Sequence, residues 1–268
     1  MAQARSQSAG RIRRAPRIAD KFNLKKAHSA GFGWSSSNWS GYAITKRKGA
    51  ISSVAGRWIV PRVGAAGRTS YSSAWIGIDG FTNHSLVQTG TEHDFVNGTA
   101  RYYAWWEILP AAETRIRLPV SPGDRMSAAI RSLGSGKWSI RLTNETRKWT
   151  FRTIRSYAGP RTSAEWIVEA PSINGRTAVL ANYGRIAFRQ CRVNGKSPDL
   201  QRSNGGVMNR GSVRKSTPSA PNSRGDGFNV AYGGATPPAP AAARKRNTKA
   251  ALNAAKPLRH AGSRRARS

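Results

Sequence analysis

The stretch SAWIGID, residues 73–79, decides the fold class of this chain. Successive side chains of a β-strand point to opposite faces, so this stretch places a purely apolar set on one face. That set comprises Ala74, Ile76 and Ile78. The opposite face carries Trp75 and Asp79. The alternation predicts a strand with one face in a hydrophobic core and the other available for chemistry.

Two stretches farther along the chain repeat this two-residue period. In YYAWWEI, Trp105 and Glu107 share a face. In AEWIVE, Glu165 and Glu169 share a face, with Trp166 behind them. Two carboxylates four residues apart on a strand point in the same direction. The sequence therefore predicts strands that gather acidic and aromatic side chains on one side of a sheet.

The rest of the central region has the same character. Short apolar runs alternate with Gly, Asn, Pro and Ser clusters at roughly 8–12-residue spacing, which is typical of antiparallel all-β domains. They predict further strands at Ala55–Val60, Arg115–Val120, Met126–Ser132, Trp138–Thr143, Val179–Ala181, Ile186–Cys191 and Phe228–Tyr232. No helix longer than a turn or two is expected, and no internal repeat of fixed period is present.

Composition divides the chain into one domain and two arms. A length of 268 residues suits a single large core, and Lys plus Arg number 45 against 12 for Asp plus Glu, a formal charge of +33. Residues 1–33 and 234–268 are basic, poor in large apolar groups and predicted to be disordered, which leaves residues 34–233 as the folded domain. The arms indicate nonspecific anionic partners, such as nucleic acid or a cell surface.

The sequence lacks the motifs that are typical of several kinds of catalytic or metal site. The single cysteine, Cys191, excludes an internal disulfide and a thiolate metal cluster. No G-x-S-x-G motif occurs, and the histidines form no compact set of metal ligands. The GSGK stretch lacks the rest of a phosphate loop and is interpreted as a hairpin turn. We therefore expect neither a metal nor a cofactor, and no stretch reaches the ~18 apolar residues of a membrane span.

Seven motifs remain, and together they carry a family resemblance. They are NWSGYA at 38–43, GRWIVP at 56–61, AWIGIDG at 74–80, LVQTG at 86–90, YAWWEILP at 103–110, SPGD at 121–124 and AEWIVE at 164–169. In this order and spacing the chain resembles the eqolisins, a family of glutamic peptidases, from about Trp34 to about Tyr232. The resemblance implies a concanavalin-like β-sandwich of two large antiparallel sheets, with a peptide-binding cleft on a concave face.

The resemblance also implies a catalytic pair, Gln88 and Glu169. An ionised carboxylate can take a proton from water that attacks a carbonyl and then pass it to the leaving amine, which is the role implied for Glu169. An amide N–H can stabilise the oxyanion, which is the role implied for Gln88. The residues expected to line the cleft are Trp39, Trp75, Asp79, Trp105, Glu107 and Glu165. Core packing of the tryptophans and a structural, hydrogen-bonded role for Glu165 are the alternatives.

The expected function is thus that of an endopeptidase acting on polypeptides, as a monomer. The first alternative is a lectin-like module that binds carbohydrate or peptide without catalysis, because fold alone does not determine function. The second is binding of nucleic acid or an anionic surface, expected as an accessory role of the tails. Resemblance to the family implies secretion, although the first residues lack the apolar segment of a secretory signal.

Overall fold

The fold was analysed in a computed structural model that describes residues 31–65 and 67–242. Its seventeen strands are β1 (Trp34–Ser36), β2 (Trp39–Thr45), β3 (Ser53–Ile59), β4 (Ser73–Ile78), β5 (Val87–Val96), β6 (Thr99–Ile108), β7 (Thr114–Ile116), β8 (Arg125–Gly134), β9 (Lys137–Asn144), β10 (Trp149–Ser156), β11 (Ser163–Glu169), β12 (Ser172–Ile173), β13 (Arg176–Thr177), β14 (Arg185–Val193), β15 (Gly205–Arg210), β16 (Val213–Pro218) and β17 (Phe228–Tyr232). Within the described ranges the helical content is a single 3₁₀ turn, Arg202–Asn204. None of the described residues forms a helix long and apolar enough to cross a membrane.

Hydrogen bonding joins most of these strands into one continuous ladder that folds into two layers. The front sheet has the order β17-β16-β15-β2-β11-β4-β5-β6-β7, and the back sheet has the order β10-β9-β8-β3-β14. Pairing between these strands is antiparallel, and β1 adds to β15 in parallel. The predicted all-β sandwich of two large antiparallel sheets is confirmed.

Strand β14 connects the two sheets. Its first half, Arg185 to Phe188, pairs with β17 of the front sheet, and its second half, Arg189 to Val193, pairs with β3 of the back sheet. The register shifts between the halves, where Gln190 has a φ of 51°. A bulge of this kind bends a strand, and here it turns β14 from one layer into the other.

A core built from large rings fills the space between the sheets. Phe188 and Phe228 stack with their centroids 5.1 Å apart, and the buried Trp166 donates its indole N–H to the Ala55 carbonyl at 2.8 Å. The apolar face predicted from SAWIGID contributes to this core through Ala74, Ile76 and Ile78. Buried aromatic rings bring both large apolar area and defined geometry, so this core supplies most of the packing.

A second apolar cluster lies on the outer face of the front sheet, away from the core. It comprises Trp34, Trp39, Ala43, Trp75, Phe81, Leu86, Tyr103, Trp105 and Ile167. Alternation along each strand explains the division, since Trp75 belongs to this cluster while its neighbours Ala74 and Ile76 belong to the core.

Most of the predicted arms, residues 1–30 and 243–268, lie outside the described residues. The described ends contact the sandwich. Phe32 is buried, and the Gly33 N–H donates to the Gly205 carbonyl at 3.0 Å. At the other end, Asn229 Nδ2 donates to the Pro238 carbonyl at 2.7 Å. Contacts with the sheets therefore begin before residue 34 and continue beyond residue 233.

Candidate active site

Adjacent strands of the front sheet align polar side chains of its outer face in a level row. Glu165 of β11 lies directly opposite Gly77 of β4. Gly77 lies opposite Gln88 of β5, and Gln88 lies opposite Glu107 of β6. Residues directly opposite each other share a face and lie close together. The row therefore places two carboxylates on either side of one amide, with a glycine in between.

The next row, two residues along each strand, is aromatic. Trp75 lies opposite Ile167 on one side and Gly90 on the other, and Gly90 lies opposite Trp105. Both indoles are fully buried in the outer cluster. The polar row is thus bordered by large rings that exclude water on that side.

The third row contains the second carboxylate of β11. Glu169 lies opposite Ser73 of β4 and opposite Trp39 of β2. The Trp75 indole N–H donates to Glu169 Oε2 at 2.8 Å. The rings of Trp39 and Trp75 meet edge to face, with centroids 4.8 Å apart. Ser73 in turn lies opposite Glu92 of β5, so Glu169 belongs to a second polar row, and the tryptophans lie between the two rows.

Gln88 and Glu107 form a buried pair. Gln88 Nε2 donates to Glu107 Oε2 at 2.5 Å, and both residues are at most 1% exposed. A glutamine amide has two N–H donors, and this contact uses one of them. Glu107 therefore fixes the direction of the Gln88 amide, and the second N–H remains a donor for a bound group.

Gly77 lets the Trp75 ring pack into the row between Glu165 and Gln88. A Cβ at this position would lie 2.9 Å from the Trp75 ring, 3.0 Å from the Leu86 side chain and 3.4 Å from Glu165 Oε2. Real side chains essentially never approach as closely as the first of these distances. The absence of a side chain therefore makes room for the ring that donates to Glu169.

Glu165 is a fully buried carboxyl group. It is 0% exposed, and the polar groups that influence it are the Ser163 hydroxyl and the Asp79 carboxylate. Burial raises the pKa of Glu165 well above its ordinary value; the nearby Ser163 hydroxyl opposes the rise and the Asp79 carboxylate adds to it. Desolvation favours the neutral form of a carboxyl group, so Glu165 holds its proton to a higher pH than an ordinary glutamate.

This raised pKa predicts a pH-dependent stability difference between the wild type and Glu165→Gln. Between the ordinary pKa of an unfolded glutamate and the raised pKa of the folded state, the folded protein binds more protons. The contribution of Glu165 to stability is therefore complete at low pH and is lost as the pH rises through this window. Glutamine has no such proton. We expect the unfolding temperature of Glu165→Gln, relative to wild type, to rise by at least about 3 °C between pH 3 and pH 7.

Differential scanning calorimetry of both proteins at each pH measures the effect. The difference in unfolding temperature between the two proteins at pH 3 is the control, because it measures any loss of stability that the glutamine amide itself causes. A temperature difference that stays constant from pH 3 to pH 7 would contradict the raised pKa.

Asp79 has a different environment from the other predicted cleft residues. It follows the last residue of β4, has a φ of 70° and is fully buried. Its carboxylate accepts hydrogen bonds from the Tyr157 hydroxyl at 2.6 Å and from the backbone N–H groups of Arg161 and Thr162 at 2.8 Å each. Asn83 Nδ2 and the Thr162 hydroxyl donate to it at 3.2 Å. Asp79 thus fixes the loop that leads directly into β11 and Glu165.

Seven of the eight predicted site residues lie together on the outer face of the front sheet. They are Gln88, Glu169, Trp39, Trp75, Trp105, Glu107 and Glu165. Asp79 lies at the end of β4 and supports them from the adjoining loop.

Sequence reasoning missed Tyr103, which belongs to the same cluster. Its hydroxyl donates to Glu113 at 2.6 Å, and the Arg115 guanidinium lies 4.5 Å from its ring centroid. The two-residue period through Trp105 and Glu107 could have found it. No group of side chains able to hold a metal ion occurs in residues 31–65 and 67–242.

Comparison with solved structures identifies the class of fold. The chain superposes on scytalido-glutamic peptidase with a TM-score of 0.63 at 22% identity, covering 73% of this chain and 98% of that one. It superposes on aspergilloglutamic peptidase from Aspergillus niger with a TM-score of 0.53 at 24% identity, covering 61% of this chain and 99% of that one. The sandwich is therefore of the glutamic-peptidase type.

Sequence comparison identifies the family. Residues 37–232 match the Peptidase A4 family, and this chain belongs to that family, the eqolisins. It is 26% identical over 200 residues to aspergillopepsin-2 of Aspergillus niger, which covers 65% of this chain and 70% of that protein. It is 29% identical over 172 residues to scytalidopepsin B of Scytalidium lignicola, covering 62% of this chain and 63% of that protein. The predicted family resemblance is confirmed.

Proposed function

We propose that this chain is an endopeptidase that hydrolyses peptide bonds with one glutamic acid and one glutamine of the front sheet. The observation that carries the proposal is the placement of Gln88 and Glu169 on one face of the front sheet, on either side of Trp75, whose indole N–H donates to Glu169. Membership of the Peptidase A4 family supports a peptide as the substrate. The relatives named above as peptidases support the same substrate class.

Two carboxyl groups of β11 share this face, and we assign Glu169 as the general base. The Trp75 indole N–H donates to Glu169 Oε2 at 2.8 Å and so orients the carboxylate. Burial raises the pKa of Glu165, which keeps that group protonated to a higher pH than a base requires. The Trp75 ring also packs over Gly77, between Glu165 and Gln88. We therefore assign Glu165 to supporting the site rather than to proton transfer.

In the proposed reaction, ionised Glu169 takes a proton from water as the water oxygen forms a bond to the carbonyl carbon of the peptide. The second N–H of Gln88 donates to the oxyanion that develops on the carbonyl oxygen. Glu169 then passes its proton to the amide nitrogen as the carbon–nitrogen bond breaks, which releases an amine and restores the carboxylate. Glu107 holds the Gln88 amide in the donating orientation throughout.

Digestion of a denatured protein substrate from pH 2 to pH 8 tests the function. We expect cleavage that chelators and serine reagents leave unchanged. Gln88→Ala should lower kcat/KM by about 10²–10³-fold, because it removes one oxyanion donor. Gln201→Ala, at an exposed surface turn, is the matched control and should retain full activity.

Two results would overturn the proposal. Folded wild-type protein that cleaves nothing at any pH would favour a non-catalytic binding module. Full activity in a folded Gln88→Ala variant would remove the glutamine from the mechanism.

A further inference from the structure

Charge is segregated between the two sheets. Every Asp or Glu within a described strand lies in β5, β6 or β11 of the front sheet. The strands of the back sheet, β3, β8, β9, β10 and β14, contain none. They contain Lys and Arg instead, at positions that alternate with core residues. The back sheet therefore presents a strongly basic surface to solvent.

We call the outer surface of the back sheet the basic face. Its cations are Arg57, Arg125, Arg131, Lys137, Arg141, Arg152, Arg189 and Arg192. Small residues such as Ala55, Ser127 and Ala129 lie between them. Five strands at about 4.8 Å spacing make this face about 20 Å wide and flat enough to meet an extended surface.

The sheet places like charges directly opposite each other on this face. Arg152 of β10 lies opposite Arg141 of β9, and Arg57 of β3 lies opposite Arg189 of β14. Opposed like charges destabilise a sheet. Among the described residues, Arg57 has a carboxylate partner, Glu145, whereas Arg141 and Arg152 have no ion pair. The fold therefore retains an unfavourable arrangement that a bound polyanion would relieve.

Exposed aliphatic side chains share the face with these cations. Ile59, Leu133 and Ile154 are 48%, 46% and 46% exposed. Each has the same strand parity as an outward-facing arginine two residues away. Leu133 and Ile154 lie at one corner of the sheet, where the β8–β9 turn meets the edge strand β10. Apolar side chains among cations are suited to a surface that has both anionic groups and hydrocarbon.

The C-terminal segment leaves the sandwich beside this face. Arg189 donates to the Ala241 carbonyl at 3.1 Å, and the chain continues from there into residues 243–268. Those residues include nine Lys or Arg and no Asp or Glu. The described chain therefore ends beside the basic face, and the sequence that follows is strongly cationic.

From these observations we propose that the basic face docks the folded domain on an anionic phospholipid bilayer. Its arginines would contact headgroup phosphates, and Leu133 and Ile154 would enter the acyl boundary. A nucleic acid fits less well, because the described outward positions of these strands carry no aromatic ring for base stacking, and a flat sheet cannot enter a groove. Docking in this way leaves the outer face of the front sheet, which carries the polar row, directed away from the bilayer.

Vesicle co-sedimentation of the full chain tests the proposal without any cleavage step, so its outcome is independent of the proposed function. We expect binding to phosphatidylcholine vesicles that contain phosphatidylglycerol and little binding to phosphatidylcholine alone. Each cation near such a surface strengthens binding about fivefold. The triple variant R131Q/R141Q/R152Q should therefore bind at least about tenfold more weakly. Its unfolding temperature should not fall, because opposed charges are removed.

A matched triple variant distinguishes binding by the basic face from binding that depends only on net charge or on the tails. R62Q/R101Q/R117Q removes three exposed arginines that lie outside the back sheet, and its affinity should fall less than about threefold. Equal losses in the two triple variants would overturn the proposal. Equal binding of the wild type to neutral vesicles would also overturn it.

Substitution of the exposed aliphatic residues distinguishes binding to a membrane from binding to other polyanions. L133S/I154S should weaken vesicle binding several-fold and leave binding to duplex DNA unchanged. L118S/V213S, at exposed positions elsewhere, is the control for surface polarity and should bind vesicles like the wild type. The proposed ligand would be a nucleic acid instead of a bilayer if two results were found together. Vesicle binding would be unchanged by L133S/I154S, and tight DNA binding would depend on the three arginines.

Discussion

Glu169→Gln should lower kcat/KM by about 10³-fold or more with a peptide substrate, whereas Glu165→Gln should lower it by less than about tenfold. General acid and base catalysis by one positioned side chain contributes about 10²–10⁴-fold. Glutamine at position 169 can still accept the Trp75 indole N–H, but it can neither take a proton from water nor deliver one to the amine. Glu165→Gln replaces a carboxyl group that holds its proton with a neutral amide of similar shape.

The measurement is steady-state cleavage of a quenched fluorescent peptide, with kcat and KM determined separately at the optimum pH. Near-ultraviolet circular dichroism of the buried tryptophans shows whether each variant is folded. The two variants control for each other, because both lie on β11 and both lose one carboxyl group. A larger loss in Glu165→Gln than in Glu169→Gln would contradict the assignment and make Glu165 the base.

Asp79→Ala should lower the free energy of unfolding by about 3–5 kcal/mol. The change leaves the Tyr157 hydroxyl and two backbone N–H groups without their acceptor, and each buried unsatisfied donor costs about 1–3 kcal/mol. Alanine is also poorly suited to the left-handed backbone at this position, where φ is 70°. The fall in unfolding temperature should be about 10 °C.

Asp79→Asn is the matched variant, because asparagine has the same shape and tolerates this backbone conformation. It should lose about half as much stability. Since the Asp79 carboxylate raises the pKa of Glu165, its removal should also lower the pH range over which Glu165 destabilises the folded protein. Denaturant unfolding followed by tryptophan fluorescence measures the first effect. A loss below about 1 kcal/mol in Asp79→Ala would show that the loop is held by other contacts.

The sequence could predict which side chains of the candidate site share one face of the sheet. The two-residue period correctly divided Ala74, Ile76 and Ile78 from Trp75, and it grouped Trp105 with Glu107. Parity cannot rank Glu165 against Glu169, since residues four apart on a strand share a face. The choice depends on the contacts of each carboxyl group, such as Trp75 of β4 beside Glu169, and β4 is distant in sequence from β11. Only the folded topology supplies those contacts.

Other differences have local causes. Parity placed Asp79 with the cleft residues, but β4 ends at Ile78 and the positive φ of Asp79 turns its side chain toward the following loop. Strand β10 was not predicted, because its sequence, WTFRTIRS, presents mostly polar or charged residues at an edge of the sheet. Local context identifies such edge strands poorly, since their pairing depends on a neighbour.

The passage of β14 from one sheet into the other limits how this molecule can open. Two separate sheets can move apart by losing only the contacts between their facing side chains. Here β14 is hydrogen-bonded into both sheets, so such a movement would also have to break backbone hydrogen bonds at the bulge near Gln190. A substrate must therefore be admitted by the loops around the outer face, while the two-layer frame beneath them stays closed.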